Sequence, residues 1–339
     1  MKPIVFVDTV CPAPYSPKEL AMQGLGGTEA TVVRLAEMLG MDNINVHVAQ
    51  HNRVADLEQY SASYVRPLPY LLTGKFKAQA FIALRDPNTA LNLKKANPDV
   101  PVLLWCHDLS NPTFSSFGPL LKAAGITLVA VSEFHKTNLV EGFRANAKDM
   151  TTDVPLVKVV YNPVNDWLVP SERVQVDPNQ LLFASSPHKG LERALSLFEI
   201  VKKHFPEMKL KIANPGYYET NIPKQAGVID IGSISHNRLA TEMMKSLAVF
   251  YPNNSFPETF GLVMAEANAV GTPVITHPIG AAREVLGEDH NTSQLIDTQA
   301  SIEEIVNRIK KFREERPKVS LNPKFRIKEV VKAWKELLK

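Results

Sequence analysis

Cysteine is scarce in this chain: among 339 residues only Cys11 and Cys106 occur, and they do not form a Cys-x-x-Cys pair. A disulfide framework and a thiolate zinc site are therefore not indicated, and a cytoplasmic location is expected. Residues 3–7 are an apolar, strand-like segment rather than the start of a secretion signal, and no apolar run reaches the length that spans a bilayer.

Strong charge of either sign is also missing. The formal net charge is +3, and the basic residues are mixed with acidic ones instead of forming blocks. Nucleic acid and an anionic membrane therefore receive little support as partners. Lys75 and Lys77 flank Phe76, but this group is too sparse for a basic amphipathic anchor, so any membrane contact is expected to be weak and peripheral.

The chain has no Asp-x-Asp pair, since no two of its aspartates stand two residues apart. Enzymes that hold a diphosphate through a divalent cation need such a carboxylate pair. A diphosphate bound here would have to be neutralised by lysine, helix N-termini and backbone amides. We therefore expect no metal ligands, no cofactor and metal-independent chemistry.

What the chain does contain is a series of short apolar runs that alternate with segments of helical periodicity. Continuous apolar runs indicate strands that are buried on both faces of a parallel sheet covered by helices. The pattern predicts an α/β protein with two Rossmann-like domains facing across a cleft. The predicted strands are 4–7, 46–49, 80–84, 102–106, 128–131 and 157–161 in the first half, and 181–184, 210–213, 228–231, 247–251 and 273–276 in the second.

Between the two series, residues 162–178 are rich in proline, asparagine and charge, which is typical of a linker. We expect residues 1–165 to form the N-terminal domain and residues 166–321 to form the C-terminal domain. The tail, residues 322–339, contains an apolar helical stripe that would dock on a neighbouring domain.

The most informative segment is FPETFGLVMAEANAVGTPVIT at residues 256–276. Glu258 and Glu266 have seven residues between them and lie on either side of an expected helix start. A helix N-terminus presents unpaired amides and the positive end of its dipole, so it attracts a phosphate. Carboxylates on both flanks can bind hydroxyl groups. A phosphate group between two polyols describes a nucleotide sugar.

A glycine-rich turn at residues 24–29 contains Gly26 and Gly27 and precedes a helical stretch at 30–39, so backbone amides can approach an anion closely. A nicotinamide dinucleotide fold is the alternative, but its fingerprint directly follows the first strand and an acidic residue ends the second. Here the glycines come much later than the first strand, and Gln50 follows the second. These features argue against NAD.

Two further motifs follow predicted strands. His107 comes at the end of a buried strand, at the carboxyl edge of the sheet where ligands bind, and its ring can donate to a substrate oxygen. Lys189, after Ser185 and Ser186, supplies a mobile positive charge suited to a diphosphate. The plain alternatives are a histidine bonded to a loop carbonyl and a solvated lysine. The histidines expected to be surface or satisfied core groups are His47, His51, His135, His204, His236, His277 and His290.

In combination, the GGTE loop, the WCHD strand end, the Lys-Gly loop and the segment PETFGLVMAEANAVGTPVI resemble the GT-B glycosyltransferases. The resemblance is to the large retaining group called family 4 or group 1, whose hallmark is E-x7-E. It covers nearly the full length, and its specific part is residues 258–275. It implies two domains that close over a nucleotide sugar, held mainly by the C-terminal domain, and a C-terminal helix that crosses back to the N-terminal one.

The resemblance implies roles for the matching side chains. Glu258 would contact the transferred sugar, Glu266 the ribose hydroxyls, Lys189 a phosphate group, and His107 the sugar from the other domain. Of these, His107, Glu258 and Lys189 are the expected catalytic residues.

The resemblance also implies contacts made through the backbone. The diphosphate would approach Gly26 and Gly27, the amides of Phe260, Gly261 and Leu262 would face sugar and diphosphate, and Ile234 would meet the base. Two departures from the family pattern are present. The usual arginine before the lysine is missing, so one phosphate contact is either lost or made by the hydroxyls of Ser185 and Ser186. The usual Gly-Gly is Gly280-Ala281, which puts a close backbone approach there in question.

The expected activity is therefore a retaining, metal-independent transfer of a hexose from a nucleoside diphosphate sugar to an acceptor hydroxyl. The acceptor is a glycan, a lipid or a small molecule bound by the N-terminal domain. Two alternatives stay open: a nucleotide-sugar epimerase or phosphorylase of the same fold, and a sugar-nucleotide binding module without turnover. The sugar, the base, the acceptor and the oligomeric state cannot be read from the sequence.

Overall fold

The computed structural model describes residues 2–22, 24–67, 69–147, 154–214, 222–287 and 292–339. The chain forms two compact units. Unit 1 comprises Met1–Pro17, Thr28–Pro163 and Ile327–Lys339, and unit 2 comprises Lys18–Gly27 and Val164–Arg326.

A parallel sheet forms the centre of unit 1. Its strands are β1 (Ile4–Asp8), β2 (Val46–Gln50), β3 (Ser63–Val65), β4 (Ala80–Leu84), β5 (Val102–Trp105), β6 (Thr127–Ala130) and β7 (Val157–Val159). They pair in the order β3-β2-β1-β4-β5-β6-β7. Every residue of β1 and β4 is buried, because helices cover both faces of the sheet.

Unit 2 contains a second parallel sheet. Its strands are β8 (Asp177–Ala184), β9 (Lys209–Ala213), β10 (Val228–Gly232), β11 (Ser246–Tyr251) and β12 (Val274–Thr276). They pair in the order β10-β9-β8-β11-β12, so that β8 and β11 are neighbours although two strands lie between them in the chain.

The α-helices of the described residues are α1 (Pro17–Met22), α2 (Gly27–Met41), α3 (Pro87–Ala96), α4 (Pro112–Ser115), α5 (Gly118–Ala123), α6 (Glu133–Asn146), α7 (Leu191–His204), α8 (His236–Lys245), α9 (Leu262–Ala269), α10 (Ala282–Leu286), α11 (Ile302–Glu314) and α12 (Ile327–Leu337). Single 3₁₀ turns occur at Pro69–Thr73, Pro187–Lys189, Thr292–Gln294 and Pro323–Phe325. None of the helices in these ranges is long and apolar enough to cross a membrane.

Polar side chains fix where several helices begin after a strand. The Asp86 carboxylate accepts from the amides of Asn88 and Thr89 at the start of α3, and the Ser132 hydroxyl accepts from the amide of His135 at the start of α6. Ser235 caps α8 in the same way. Because these caps satisfy amides that have no partner within the helix, each helix starts within a few residues of the carboxyl edge of its sheet.

The C-terminal helix α12 belongs to unit 1. Its apolar stripe includes Trp334, which is fully buried with its ring centroid 4.7 Å from that of Trp105 on β5. The ring centroid of Phe6 on β1 lies 6.4 Å from that of Trp334. The chain thus returns to the first unit at its C-terminus, as the apolar stripe and the family resemblance indicated.

The prediction of two α/β domains with parallel sheets is confirmed. Each predicted strand corresponds to an observed one, whereas β3 was not predicted. The unit boundaries lie between residues 163 and 164 and between 326 and 327. Residues 18–27 belong to unit 2, not to the N-terminal domain as expected, and the amide of Gly24 donates to Ser233 Oγ at 3.1 Å.

The aromatic residues beside Lys75 and Lys77 are part of the core of unit 1. Phe81 is fully buried and Phe76 packs against the same cluster. The two lysines are exposed but have no exposed aromatic partner there, so this segment offers no surface of the basic amphipathic kind.

Candidate functional site

Two sequence motifs meet at the carboxyl edge of the sheet in unit 2. Because β8 and β11 are parallel neighbours, the loops that follow them leave the sheet at the same edge. Lys189 lies in the loop after β8, and Glu258 lies in the loop after β11. The ammonium Nζ of Lys189 is 3.0 Å from each carboxylate oxygen of Glu258, although the two residues are 69 positions apart.

The Glu258 carboxylate is largely buried, with an exposed fraction of 8%. The hydroxyl of Tyr251, the last residue of β11, donates to its Oε1 at 2.7 Å. Burial, and then the negative charge of Glu258, raise the pKa of Tyr251 far above its ordinary value, so the phenol stays neutral and keeps its proton. Glu258 is therefore held between a fixed neutral donor and a cation.

Lys189 is more accessible than its partner, since its side chain is 25% exposed. Its ammonium also lies 5.0 Å from the centroid of the Phe256 ring, within the range of a cation–π contact. An ammonium has three donors, and the two Glu258 oxygens account for two of them. The group is therefore well placed to turn towards an anion arriving from solvent.

Asn253 shapes the loop that carries Glu258. Its Oδ1 accepts from the amides of Ser255 and Phe256 at 3.2 and 3.0 Å, and its Nδ2 donates to the carbonyl of Phe256. An asparagine that folds the chain back on itself in this way is common in turns. Sequence reasoning did not single out this residue, although an asparagine two positions after a strand was an available signal.

The loop continues into α9, whose N-terminus carries no side-chain cap. Gly261, the N-cap, has φ +84, and a Cβ there would lie 2.1 Å from Met264 Cε, so only glycine fits without a shift. Phe260 is buried against Phe325, with ring centroids 5.1 Å apart. The packing of Phe260 thus fixes the start of α9. The amides of Gly261 and Leu262 lie at this uncapped N-terminus, which is an arrangement that suits an anion.

Glu266 lies one turn further along α9 and is 5% exposed. Its Oε1 is 2.9 Å from Nε2 of His236, the first residue of α8. Because a carboxylate only accepts, that ring nitrogen is the protonated one. The prediction for His236 was a surface or satisfied core group, and its place beside Glu266 was missed. Its position just after β10, at the same sheet edge, was the signal that could have found it.

Three other predicted residues lie on this side of unit 2. Ile234 is buried, between the end of β10 and the start of α8. Ser186 is buried before the 3₁₀ turn that carries Lys189, and its carbonyl accepts from the Lys189 amide at 2.9 Å. Ser185 bonds the Tyr251 side chain. Ser185 thus contacts a partner of Glu258, and contact with a phosphate stays a prediction for both serines.

A basic residue that the sequence analysis did not consider lies just beyond Lys189. Arg193, on the first turn of α7, donates from Nε to the carbonyl of Pro252 at 3.1 Å. The family's arginine before the lysine is absent, but this one ties α7 to the loop that leads to Glu258.

The Gly280-Ala281 pair approaches the Glu258 loop closely. Gly280 has φ +60, and a Cβ there would lie 2.6 Å from both the nitrogen and the oxygen of Glu258. The amide of Ala281 donates to the carbonyl of Glu258 at 3.0 Å. The close backbone approach that the sequence put in question is therefore present, and it depends on the first residue of the pair. Ala281 is buried without such a conflict.

In unit 1, His107 follows β5 and is buried against Trp105, with ring centroids 4.7 Å apart. Burial, and then the positive charge of Arg85, lower the pKa of His107 well below its ordinary value, so its ring is neutral. A neutral imidazole can donate and accept hydrogen bonds without adding charge. Its predicted contact with the sugar stays a prediction.

Two charged residues that the sequence analysis did not single out lie near His107. Arg85 directly follows β4 and has φ +62, an unusual conformation for a residue with a side chain. Its guanidinium is 3.4 Å from the carboxylate of Glu29 on α2. Burial raises the pKa of Glu29, and the charge of Arg85 counteracts this rise.

His135 is fully buried and accepts from the amide of Val131 through Nδ1, at 3.3 Å. Its Nε2 donates to the carbonyl of Asp108 at 2.9 Å. Protonation would place an N–H against the Val131 amide. Desolvation is the main cause that lowers the pKa of His135 to about 4.

The predicted glycines Gly26 and Gly27 lie where the chain passes from unit 2 to unit 1. Gly27 is the first residue of α2, and a Cβ on it would meet no atom within 4 Å. Its contact with a diphosphate stays a prediction. Among the described residues no cluster of three or more His, Cys, Asp or Glu side chains could hold a metal ion. His290 lies outside the described residues.

Comparison with known proteins identifies relatives of this chain. The protein-family model described as glycosyl transferases group 1 matches residues 170–334. The phosphatidyl-myo-inositol mannosyltransferase of Mycobacterium tuberculosis is 25% identical over a 304-residue alignment, which covers 77% of this chain and 76% of that protein. The protein of the same name from Mycobacterium leprae is 32% identical over 108 residues. This match covers 28% of the length of the Mycobacterium leprae protein.

Among solved structures, sucrose-phosphate synthase from Thermosynechococcus elongatus matches with a TM-score of 0.68 at 16% identity, covering 99% of this chain and 96% of that one. At this identity the likeness shows the fold alone. It is the GT-B fold that the sequence led us to expect, with two parallel-sheet α/β domains.

Replacing Gly280 by alanine should destabilise unit 2 more than replacing Gly232. Both residues have positive φ, but a Cβ at Gly232 would meet no atom within 4 Å. Both variants bear the strain of a left-handed residue, and only Gly280→Ala also displaces the backbone of Glu258. We expect an additional loss of about 2 kcal/mol in the free energy of unfolding, measured by urea denaturation of the whole chain. Equal losses of unfolding free energy in the two variants would mean that the loop carrying Glu258 shifts without cost, which would contradict the prediction.

The stability of unit 1 should decrease as the pH is lowered, because His135 is kept unprotonated in the folded chain. Its pKa in the folded chain, about 4, is below the ordinary value of 6.5, so the unfolded chain binds the proton more tightly. The stability is fully present above pH 6.5 and decreases as the pH falls from 6.5 towards 4. In His135→Gln the free energy of unfolding should decrease by roughly 2 kcal/mol less over that pH range, as measured by denaturation curves. The control is His51→Gln, at an exposed histidine of the same unit, and parallel curves for wild type and His135→Gln would contradict the assignment.

Proposed function

We propose that this chain, whose residues 170–334 match the group 1 glycosyl transferases, is a retaining enzyme that moves a hexose from a nucleoside diphosphate sugar to an acceptor hydroxyl. The observation that carries the proposal is the contact of Lys189 Nζ with both oxygens of Glu258, at 3.0 Å. A cation and a carboxylate beside an uncapped helix start are the two partners that a sugar diphosphate requires.

Binding of the donor would exchange the partners of this ion pair. The diphosphate carries more negative charge than one carboxylate and therefore draws the Lys189 ammonium and the amides of Gly261 and Leu262. Glu258 is then left with the hydroxyl of Tyr251 and turns its remaining acceptor sites to the sugar hydroxyls. Because Tyr251 and Gly280 hold this residue in place, the carboxylate stays oriented during the exchange.

During transfer the bond between the anomeric carbon and the diphosphate oxygen breaks, and negative charge grows on the leaving group. Lys189 and the amides at the start of α9 stabilise this charge, which is the main contribution the protein makes. The acceptor hydroxyl attacks from the face that the diphosphate vacates, and the departing diphosphate takes its proton. Glu258 orients the sugar, so the positive charge that develops on the ring meets a carboxylate.

Glu266 and His236 are suited to the nucleoside end of the donor. The His236 ring donates to one carboxylate oxygen of Glu266 at 2.9 Å, which fixes the direction of the group. Its other oxygen then accepts from a ribose hydroxyl. The name of the Mycobacterium relatives, a mannosyltransferase, supports a hexose as the transferred group.

Removing the charge of Lys189 should impair donor use. We expect Lys189→Ala to lower the rate of nucleoside diphosphate release by roughly 10- to 100-fold, because a hydrogen bond to a charged group contributes about 1.5–3 kcal/mol. Release is measured with and without acceptor. Glu266→Ala should reduce it through weaker donor binding, seen as a higher KM.

The matched control for this test is Lys211→Ala. Lys211 pairs with Glu242 at 2.6 Å, with exposed fractions of 21% and 10% against 25% and 11% for the Lys189 pair. Glu242 adjoins Ser246, the first residue of β11, and thus lies at the other end of that strand from Tyr251. Turnover of Lys189→Ala within about twofold of wild type, or an equal loss in the control, would contradict the donor site.

The proposal includes metal-independent catalysis with a donor of unknown base. Hydrolysis of UDP, GDP and ADP sugars should show release from at least one donor, and the rate should be unchanged by EDTA because Lys189 and amides supply the charge. A loss in EDTA that magnesium or manganese restores would reject this part. Interconverted sugars without release would favour an epimerase, and binding without any product a non-catalytic module.

A further inference from the structure

A cavity of about 180 Å³ lies within unit 1, at the carboxyl ends of β1 and β2. Its inner wall is apolar: Val7 and Ala49 come from the strands, Leu71 from the 3₁₀ turn at Pro69–Thr73, and Leu93 from α3. Neither the ion pair of unit 2 nor the neutral histidines of unit 1 line this cavity. Its presence therefore requires a separate explanation.

The cavity is built rigidly. Pro67 and Pro69 form part of its wall and have fixed φ angles. The buried side chain of Asn97 donates to the carbonyls of Leu71 and Leu93 at 2.8 and 3.0 Å, which joins the 3₁₀ turn to α3. A space held open by two prolines and a buried amide is preformed for an occupant.

The charges around the cavity disfavour an anionic occupant. Asp8 is one of the lining residues, and they include no lysine or arginine. Besides Asp8, the polar groups that line it are the Thr9 and Thr89 hydroxyls, 2.9 Å apart, the Asn92 amide and the His51 ring. These groups suit neutral hydroxyls. Leu72, also a lining residue, is 53% exposed and extends the apolar surface outwards.

The size of the cavity limits what fits. An apolar cavity of about 150 Å³ accommodates a benzene ring, so this one matches a six-carbon ring or an alkyl segment of about six carbons. We infer that the cavity binds the apolar part of the acceptor, a neutral amphipathic molecule whose hydroxyl-bearing part lies at the Thr9 and Thr89 rim. The inference rests on the proposed function, because only a transferase has an acceptor.

The test compares methyl and hexyl β-D-glucopyranoside as probes for the whole chain, by titration calorimetry without donor. Each buried methylene gives roughly a fourfold gain in affinity, so the hexyl compound should bind at least about tenfold more tightly than the methyl one. Asn92→Phe fills the cavity from the exposed side of α3 and should abolish this gain. Asn88→Phe, also on an exposed position of α3 but not lining the cavity, should keep it.

Leu72→Gln provides a second variant at an exposed position and should reduce the gain severalfold. Equal affinities for the two glucosides in wild type, or an unchanged gain in both Asn92→Phe and Leu72→Gln, would overturn the inference.

Nucleoside diphosphate release without acceptor is measured in parallel and should be the same in wild type and Asn92→Phe. Its absence in wild type with every donor would reject the proposed function, and the acceptor assignment with it. Normal release without a hexyl gain would reject the acceptor cavity alone.

Discussion

The Glu258 carboxylate is the group on which the organisation of unit 2 depends. A buried charge without partners is strongly unfavourable, so its hydroxyl and ammonium partners must be in place whenever the unit is folded. Tyr251 comes from the end of β11, and Lys189 comes from the loop after β8. Both reach the carboxylate because these strands are neighbours in the sheet. The order of the strands thus determines the chemistry at their ends, and the loss of one pairing would remove a partner from a buried charge.

The strands could be predicted because each is a continuous apolar run, and burial on both faces of a parallel sheet leaves that pattern in the sequence. β3 was missed because Tyr64 and Val65 are bounded by Ser63 and Arg66, so that no continuous apolar run of strand length occurs there. Residues 18–27 carry no local signal for membership of unit 2. Their assignment depends on contacts such as the bond of Gly24 to Ser233, which join segments 209 positions apart.

Among the site residues, sequence reasoning found those whose type and position are informative by themselves, such as a lysine after a strand and a carboxylate before a helix. It could not find pairs that depend on side-chain direction. His236 was dismissed because nothing near it in the sequence points to Glu266, 30 positions away. Gly280 illustrates the same limit. The motif shows that its second glycine is replaced by Ala281, but only the structure shows that the backbone of Glu258 lies against Gly280.

The two units differ in the charge that their sheet edges carry, and this difference matches the chemistry of glycosyl transfer. The edge in unit 2 has Lys189, Glu258 and Glu266, which suit a substrate with a dianionic leaving group. The edge in unit 1 has His107 and His135, kept neutral by burial, and the cation beside them, Arg85, is paired with the carboxylate of Glu29. Under the proposed function unit 1 binds the acceptor, and the hydroxyl nucleophile of that substrate needs no cation for binding. The two substrates are then distinguished by their charge.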